Sequence, residues 1–200
     1  MEGRKNMLKN VMVKERDAIT KMIESADQYE DVVNVLSRCE GKLVFMGIGK
    51  SGHIGKKLAA TFASLGIPSF FVHSSEAMHG DLGMIEEKDI AILISNSGNT
   101  QEVVQNIIPL RKNGVKTVAF TAGQNSTLTK ECDHAILYPK LDEADNLNLA
   151  PTVSSTLALV LGDAIACEIS ARKGFKREDF LKYHPNGALG AMLTKESKNV

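Results

Sequence analysis

The sequence predicts an α/β protein, a three-layer sandwich whose five-stranded parallel sheet is flanked by helices. Two observations predict it. Between Lys42 and Tyr138, short runs rich in β-formers alternate with helix-like segments, the pattern of strands joined by helical crossovers. Within that region the run Ile90-Ala91-Ile92-Leu93-Ile94 is apolar at every position, which suits a strand covered on both faces rather than one facing water.

Taken in order, a helical segment from about Lys5 to Arg38 comes first, broken near Asp27. Strands are expected at 42–47, 69–73, 89–95, 116–121 and 134–138. The first connecting helix is expected from Gly52 to Leu65, with Gly66 near its cap. A second is expected from Thr100 to Asn113, ended by Gly114 in the left-handed conformation. Pro109 falls inside this second helix and should kink or shorten it, because proline removes a backbone donor and clashes with the preceding turn. A long helix from about Thr152 to Arg172 is unusually small-sided, with Ser154, Ser155, Ala158, Gly162, Ala164 and Ala166. Tight packing within the chain and a subunit interface explain that equally well. No repeat or Gly/Ser linker divides the chain, so residues 1–200 are read as one domain: helical segment 5–38, sheet core 42–138, and C-terminal helix and tail 150–200.

Composition narrows the function. Lys plus Arg and Asp plus Glu each number 24, so the excess of cations that a nucleic-acid binder needs is missing. Apolar stretches such as Leu157 to Leu161 fall far short of the roughly 20 residues of a membrane helix, and the N-terminus is polar and basic. A cytoplasmic protein with neither membrane nor nucleic-acid partner is expected. Cys39, Cys132 and Cys167 are too scattered for a metal cluster and are read as buried, reduced thiols.

Two loops have the chemistry of phosphate binding. In an open parallel sheet, ligands sit beyond the carboxyl ends of the strands, where helix N-termini present N–H groups and positive dipole. After the first strand comes Gly47-Ile48-Gly49-Lys50-Ser51-Gly52, in which glycines such as Gly49 allow close approach while Lys50 and Ser51 add a charge and a hydroxyl. It also spells GxGxxG, a dinucleotide signature, with Glu76 near the ribose-binding spacing. A Walker A loop would need glycine at position 44, where the chain has Val44. After the third strand comes Ser95-Asn96-Ser97-Gly98-Asn99-Thr100, opening directly into a helix. An ordinary N-cap is one explanation. Two such loops converging on one small phosphorylated ligand is the other, and a dinucleotide enzyme has no need of the second.

Among acid/base candidates, His79 follows the second strand and can face the same crevice. Glu102 occupies the first turn after the serine loop, where complementing the helix dipole is the simpler role. Glu143 lies in an acidic loop before the long helix, and His184 in a polar turn after it. None of these has diagnostic metal-ligand spacing, so no metal is expected.

Taken together, Gly49-Lys50-Ser51-Gly52, His79-Gly80-Asp81, Ser95-Asn96-Ser97-Gly98, Leu149-Ala150-Pro151-Thr152 with Ser154-Ser155-Thr156, and His184-Pro185 with Gly187-Ala188-Leu189-Gly190 resemble the sugar isomerase (SIS) domains. They are similar above all to the D-arabinose 5-phosphate isomerases of that superfamily. The resemblance runs from Lys42 to Leu193 and implies a flavodoxin-like, Rossmann-like fold. It implies phosphate binding by Ser51, Ser95, Ser97 and Thr100, in loops that include Gly49 and Asn96, with Lys50, His79, Glu102, Glu143 and His184 around the sugar. It also implies a homotetramer in which a neighbour contributes the His184 segment. Many relatives continue into paired CBS domains, so this chain is expected to be the isomerase domain alone. The implied reaction interconverts D-ribulose 5-phosphate and D-arabinose 5-phosphate through an enediol and needs no cofactor. Glu143 and His184 are expected to be its acid/base pair, with Lys50 stabilising the developing enediolate and Glu102 orienting Lys50 or a sugar hydroxyl. A sugar-phosphate sensor without catalysis, and an isomerase of a hexulose or heptulose phosphate, are the competing readings. Lipopolysaccharide sugar synthesis is the pathway the resemblance suggests, with pentitol metabolism the alternative.

Overall fold

A computed structural model describes residues 2–185, with side chains from Asn6 onward. Five strands, β1 (Leu43–Gly47), β2 (Ser69–His73), β3 (Ile90–Ile94), β4 (Lys116–Thr121) and β5 (His134–Leu137), form one parallel sheet in the order β2-β1-β3-β4-β5. Leu43 lies between Ser69 and Ile90, and this register runs along the centre of the sheet. Each strand begins and ends within a residue or so of its expected bounds.

Both sheet faces are covered, which is the physical reason for the uninterrupted apolar runs. Leu43, Phe45, Ile92, Ile94, Val118 and Phe120 belong to one core, shared with α1 (Glu2–Ile23), α2 (Glu30–Ser37), α3 (Gly49–Ser64) and α8 (Val153–Arg172). Val44, Met46, Ala91, Leu93 and Ala119 belong to the other, with residues of α4 (Ser74–Ala77), α5 (Gln101–Val104), α6 (Ile107–Lys112) and α7 (Thr127–Glu131). Alternate residues of every strand therefore face opposite cores. The chain leaves β1 to one side to make β2, then returns to make β3 on the other side. The gap beyond β1 and β3 is thus the switch point at which doubly wound sheets bind ligands.

Several local expectations shift. A 3-10 turn at Ala26–Tyr29 separates α1 from α2, as the break near Asp27 implied. Helix α3 starts at Gly49, three residues earlier than expected, so Lys50 and Ser51 lie in its first turn. The expected helix from Thr100 to Asn113 is two short helices, interrupted at Gln105 and Asn106. Restarting at Ile107 puts Pro109 in the first turn of α6, where its missing N–H has no helical acceptor to lose. Gly66 and Gly114 follow α3 and α6 with φ of 78° and 75°. A short helix, α9 (Arg177–Tyr183), follows α8 in the segment read simply as tail, and His184 comes directly after it.

Helix α8 is long and apolar enough, by length and composition, to cross a membrane, contrary to expectation. In the fold it is a core helix: Leu157, Leu161, Ile165 and Ile169 are buried against the sheet, and it packs on α1, α2 and α3. Its small residues serve packing on one side. A Cβ on Gly162 would lie 2.5 Å from both δ-methyls of Leu58 on α3. Ala164 is exposed. The cysteines are free, but Cys39 and Cys132 are half-buried and Cys167 is exposed, so the expectation of buried thiols is corrected.

Candidate active site

The serine loop leaves β3 as a network of its own hydroxyls. Ser95 is buried, its Oγ 2.7 Å from Thr100 Oγ1 and 3.4 Å from Ser97 Oγ, and it accepts a bond from the Gly98 N–H at 3.1 Å. The Asn99 N–H donates to Ser97 Oγ at 3.2 Å, and Thr100 precedes α5 without bonding its side chain into the helix. The loop after β4 braces this one from outside. Thr127 donates to Asn99 Oδ1 from both its N–H and its hydroxyl at 2.9 Å, the Leu128 N–H donates to Gly98 O at 3.0 Å, and the Ala122 N–H donates to Asn96 O at 3.2 Å. Tyr138, at the end of β5, donates its phenol to Asn96 Oδ1 at 3.2 Å. Next to the brace lies a hollow of about 750 Å³ lined by Ser97, Asn99, Ser126, Tyr138, Lys21 and Lys140, among others.

Helices α3 and α8 run parallel, side by side. Lys57 pairs with Asp163 at 2.5 Å, 106 positions on, and Ser170 Oγ donates to Leu65 O at 3.2 Å, 105 positions back. Carried to the helix starts, that offset sets Ser154 level with Gly49. Packed helix axes lie about 8–10 Å apart. Both positive dipole ends therefore meet at the carboxyl pole of the sheet, with Lys50 at the mouth of one and Glu143 at the mouth of the other. Neither helix has an acidic residue in its first turn or a bonded N-cap side chain.

Glu143 fills that role for α8. Its Oε2 accepts from the Thr152 N–H at 2.7 Å, the Thr152 hydroxyl at 3.0 Å and the Ser154 N–H at 3.2 Å, while its Oε1 accepts from the Ser154 hydroxyl. Its backbone is held as well, the N–H by Asn148 Oδ1 at 2.6 Å and the carbonyl by Lys14 Nζ of α1 at 2.6 Å. Burial works to raise the carboxyl's pKa, but the bonds from Ser154 and Thr152 outweigh it and hold it below the ordinary glutamate value. That is the opposite of a carboxyl tuned upward toward neutrality. Burial, and then the Glu143 charge, push the Tyr138 phenol well above its ordinary value.

The remaining residues divide between the two poles. Lys50, His79 and Glu102 are exposed and Ser51 is half-buried, all at the carboxyl pole. Asn106 ties two of their segments together, its Nδ2 donating to Ser74 O at 3.0 Å and to Glu102 O at 2.7 Å. His184 is at the other pole. Phe175 packs over Gly66, where a Cβ would lie 2.5 Å from its ring, and Tyr183 stacks on Phe175 at 6.2 Å. The His184 ring stacks on Phe180 at 3.9 Å. This places α9 beside the C-terminal end of α3, about 24 Å along that helix from Lys50 at 1.5 Å per residue. The Gly187-Ala188-Leu189-Gly190 motif lies outside the described residues.

The sequence reading missed the partners of these groups: Thr152 and Ser154 on Glu143, Tyr138 on Asn96, Lys14 on the Glu143 carbonyl. Only the first pair left a signal, a Thr-x-Ser at a helix start whose first turn has no acid. Among the described residues, no three His, Cys, Asp or Glu side chains gather as a metal-binding group.

Fold and site together define a doubly wound α/β protein with hydroxyl-rich loops and a capped carboxylate at its switch point. Residues 36–167 match the SIS domain family, and the chain belongs to it. It is 44% identical over 88% of its length to the arabinose 5-phosphate isomerase KpsF of Escherichia coli, and 43% identical over 93% to the arabinose 5-phosphate isomerase KdsD of Pseudomonas aeruginosa. The chain spans about half the length of these curated relatives, 55% and 57%. A structure from E. coli CFT073, solved in complex with arabinose 5-phosphate, superposes with a TM-score of 0.89 at 48% identity, covering 92% of this chain and 98% of that one.

Proposed function

We propose that the chain is an aldose–ketose isomerase interconverting D-ribulose 5-phosphate and D-arabinose 5-phosphate through an enediol. The observation that carries this reading is the meeting, at one pole, of the serine loop, the Lys50 end of α3 and the capped, ionised Glu143. The arabinose 5-phosphate isomerases among its relatives and the arabinose 5-phosphate bound by its structural neighbour support the substrate.

In this reading Ser51, Ser95, Ser97 and Thr100, with the backbone at Gly49 and Asn96, hold the phosphate, so its binding energy orients the sugar for reaction at C1 and C2. Glu143 enters the cycle ionised and takes a proton. His184 serves as the acid that returns one, Lys50 offsets charge on the enediolate oxygen, and Glu102 and His79 orient sugar hydroxyls. A chain whose own His184 sits at the far pole receives this residue from a neighbouring copy, which favours a homotetramer with shared sites. The reaction moves protons only and uses no redox cofactor. We place the chain in the cytoplasm, supplying arabinose 5-phosphate for lipopolysaccharide sugar synthesis, with residues 1–200 forming a single domain.

Incubation with D-ribulose 5-phosphate in heavy water, followed by proton NMR, tests the activity. Arabinose 5-phosphate carrying deuterium at C2 is the expected result. An unchanged spectrum overturns the substrate assignment, and turnover of a hexulose or heptulose phosphate instead would reassign it.

A further inference from the structure

Resting on that reading, we propose that Ser154 is a positioning residue for the isomerisation, acting through Glu143 by fixing Oε1 as the oxygen free to accept a proton.

The two oxygens of Glu143 are used unequally. Oε2 accepts three bonds, two of them from the N–H groups of Thr152 and Ser154, so it is the oxygen that takes the backbone donors at the start of α8. The Thr152 hydroxyl is also tied into the loop, accepting from the Ala144 N–H at 2.8 Å. Capping therefore does not need Oε1. Yet Oε1 receives the buried Ser154 hydroxyl, and a carboxylate oxygen with one donor keeps a second lone-pair site open. A base that works at one face of a sugar needs its accepting oxygen held in a single rotamer, and this hydroxyl supplies the restraint without filling the acceptor. A group serving only the fold would have no reason to favour the oxygen that the helix leaves alone.

The other charged and titratable groups around Glu143 are committed elsewhere. Lys14 of α1 bonds the Glu143 carbonyl rather than its carboxylate. Tyr138 donates to Asn96. In Glu143's own loop, Asp142 accepts from Asn148 and Asp145 from the N–H groups of Leu147, Leu149 and Ala150. The first turn of α8 contributes no acid.

The test compares Ser154→Ala and Ser154→Thr with the parent protein, using two readouts. One is the titration of the Glu143 carboxyl by carbon-13 NMR, its signal assigned by its loss in Glu143→Gln. The other is the pH dependence of kcat and KM with ribulose 5-phosphate. In S154A the Glu143 midpoint and the acid limb of kcat should both move to higher pH. At the plateau, kcat should fall about 10- to 100-fold, the effect of losing one hydrogen bond to a charged group, with KM changed less than about threefold. S154T, which keeps the hydroxyl, should restore both. A midpoint and acid limb unchanged in an active S154A protein overturn the positioning role alone, as does a loss of kcat that S154T does not restore. A parent protein inert toward ribulose 5-phosphate overturns the functional reading and this role with it.

Discussion

Replacing Gly98 with alanine would separate what the serine loop needs from its backbone and what it needs from its hydroxyls. Gly98 has φ of 69°, a region that costs an L-residue about 1–2 kcal/mol. A Cβ there would run into Ser126 Oγ and lie 2.5 Å from Ser126 Cβ and 2.9 Å from Thr121 Oγ1, all inside van der Waals contact. Overpacking of that kind adds about 1–3 kcal/mol, for a total of about 2–5 kcal/mol. In a chain of this size each kcal/mol lowers Tm by about 2–4 °C, so a drop of about 5–20 °C is expected. Relieving the clash by displacing the loop would also break the bonds from Gly98 N–H to Ser95 Oγ and from Leu128 N–H to Gly98 O. KM for the sugar phosphate should therefore rise about tenfold or more, equivalent to about 1.4 kcal/mol of lost binding. Urea denaturation and steady-state kinetics measure the two effects, and adding Ser126→Gly identifies the cause. Ser126 also caps α7, accepting from the Thr129 N–H at 3.3 Å, but serine to glycine at a cap costs only a few tenths of a kcal/mol. The double variant should thus recover about 1–3 kcal/mol relative to Gly98→Ala. An alanine variant as stable and as tight-binding as the parent, or a double variant with no recovery, would refute this account of the loop.

Two further outcomes follow from ionisable groups outside the site. Burial alone would raise the Asp133 pKa, but the Thr117 N–H at 2.7 Å and hydroxyl at 2.8 Å hold it below the ordinary aspartate value. A depressed folded-state pKa gives stability that is present above the unfolded value of about 3.9 and lost as pH falls through the folded one. Asp133→Asn should accordingly be less stable than the parent at neutral pH, by a gap that narrows below about pH 4; urea midpoints across that range measure it, and a gap independent of pH would contradict it. Burial pushes the Cys39 thiol up and the Cys132 thiol up to about 11, whereas Cys167 is exposed. Ellman's reagent at neutral pH should find one fast thiol that disappears in Cys167→Ser; fast reaction persisting in that variant would count against the burial argument.

The sheet was legible because its signal is local. Strands β1 and β3 are apolar at nearly every position since alternate side chains enter two different cores, and their ends sit next to loops of unmistakable composition. Helix bounds were read less well where one residue changed the outcome. Pro109 implies a kinked or shortened helix, and the break falls before it: Val103 is buried ahead of the interruption and Ile107 and Leu110 around the proline, giving two short helices rather than one bent one. Helix α9 carries no hydrophobic stripe long enough to announce itself.

Composition and spacing by themselves determined the α/β class, the two hydroxyl- and glycine-bearing loops, and the candidate acids and bases. Only the tertiary structure decided which of these meet. The strand order that makes β1 and β3 neighbours depends on how the crossovers pack, and no local pattern encodes it. The donors that hold the Glu143 carboxyl below its ordinary pKa were not legible, because Thr152 and Ser154 lie 9 and 11 positions onward, across a loop with no periodicity, at the start of α8. Where His184 lies within its own chain had no local signal: aromatic packing of Phe175 on Gly66 carries it to the far end of α3. Residue types are a property of the chain, whereas proximity is a balance of long-range packing against chain entropy that only the folded molecule strikes.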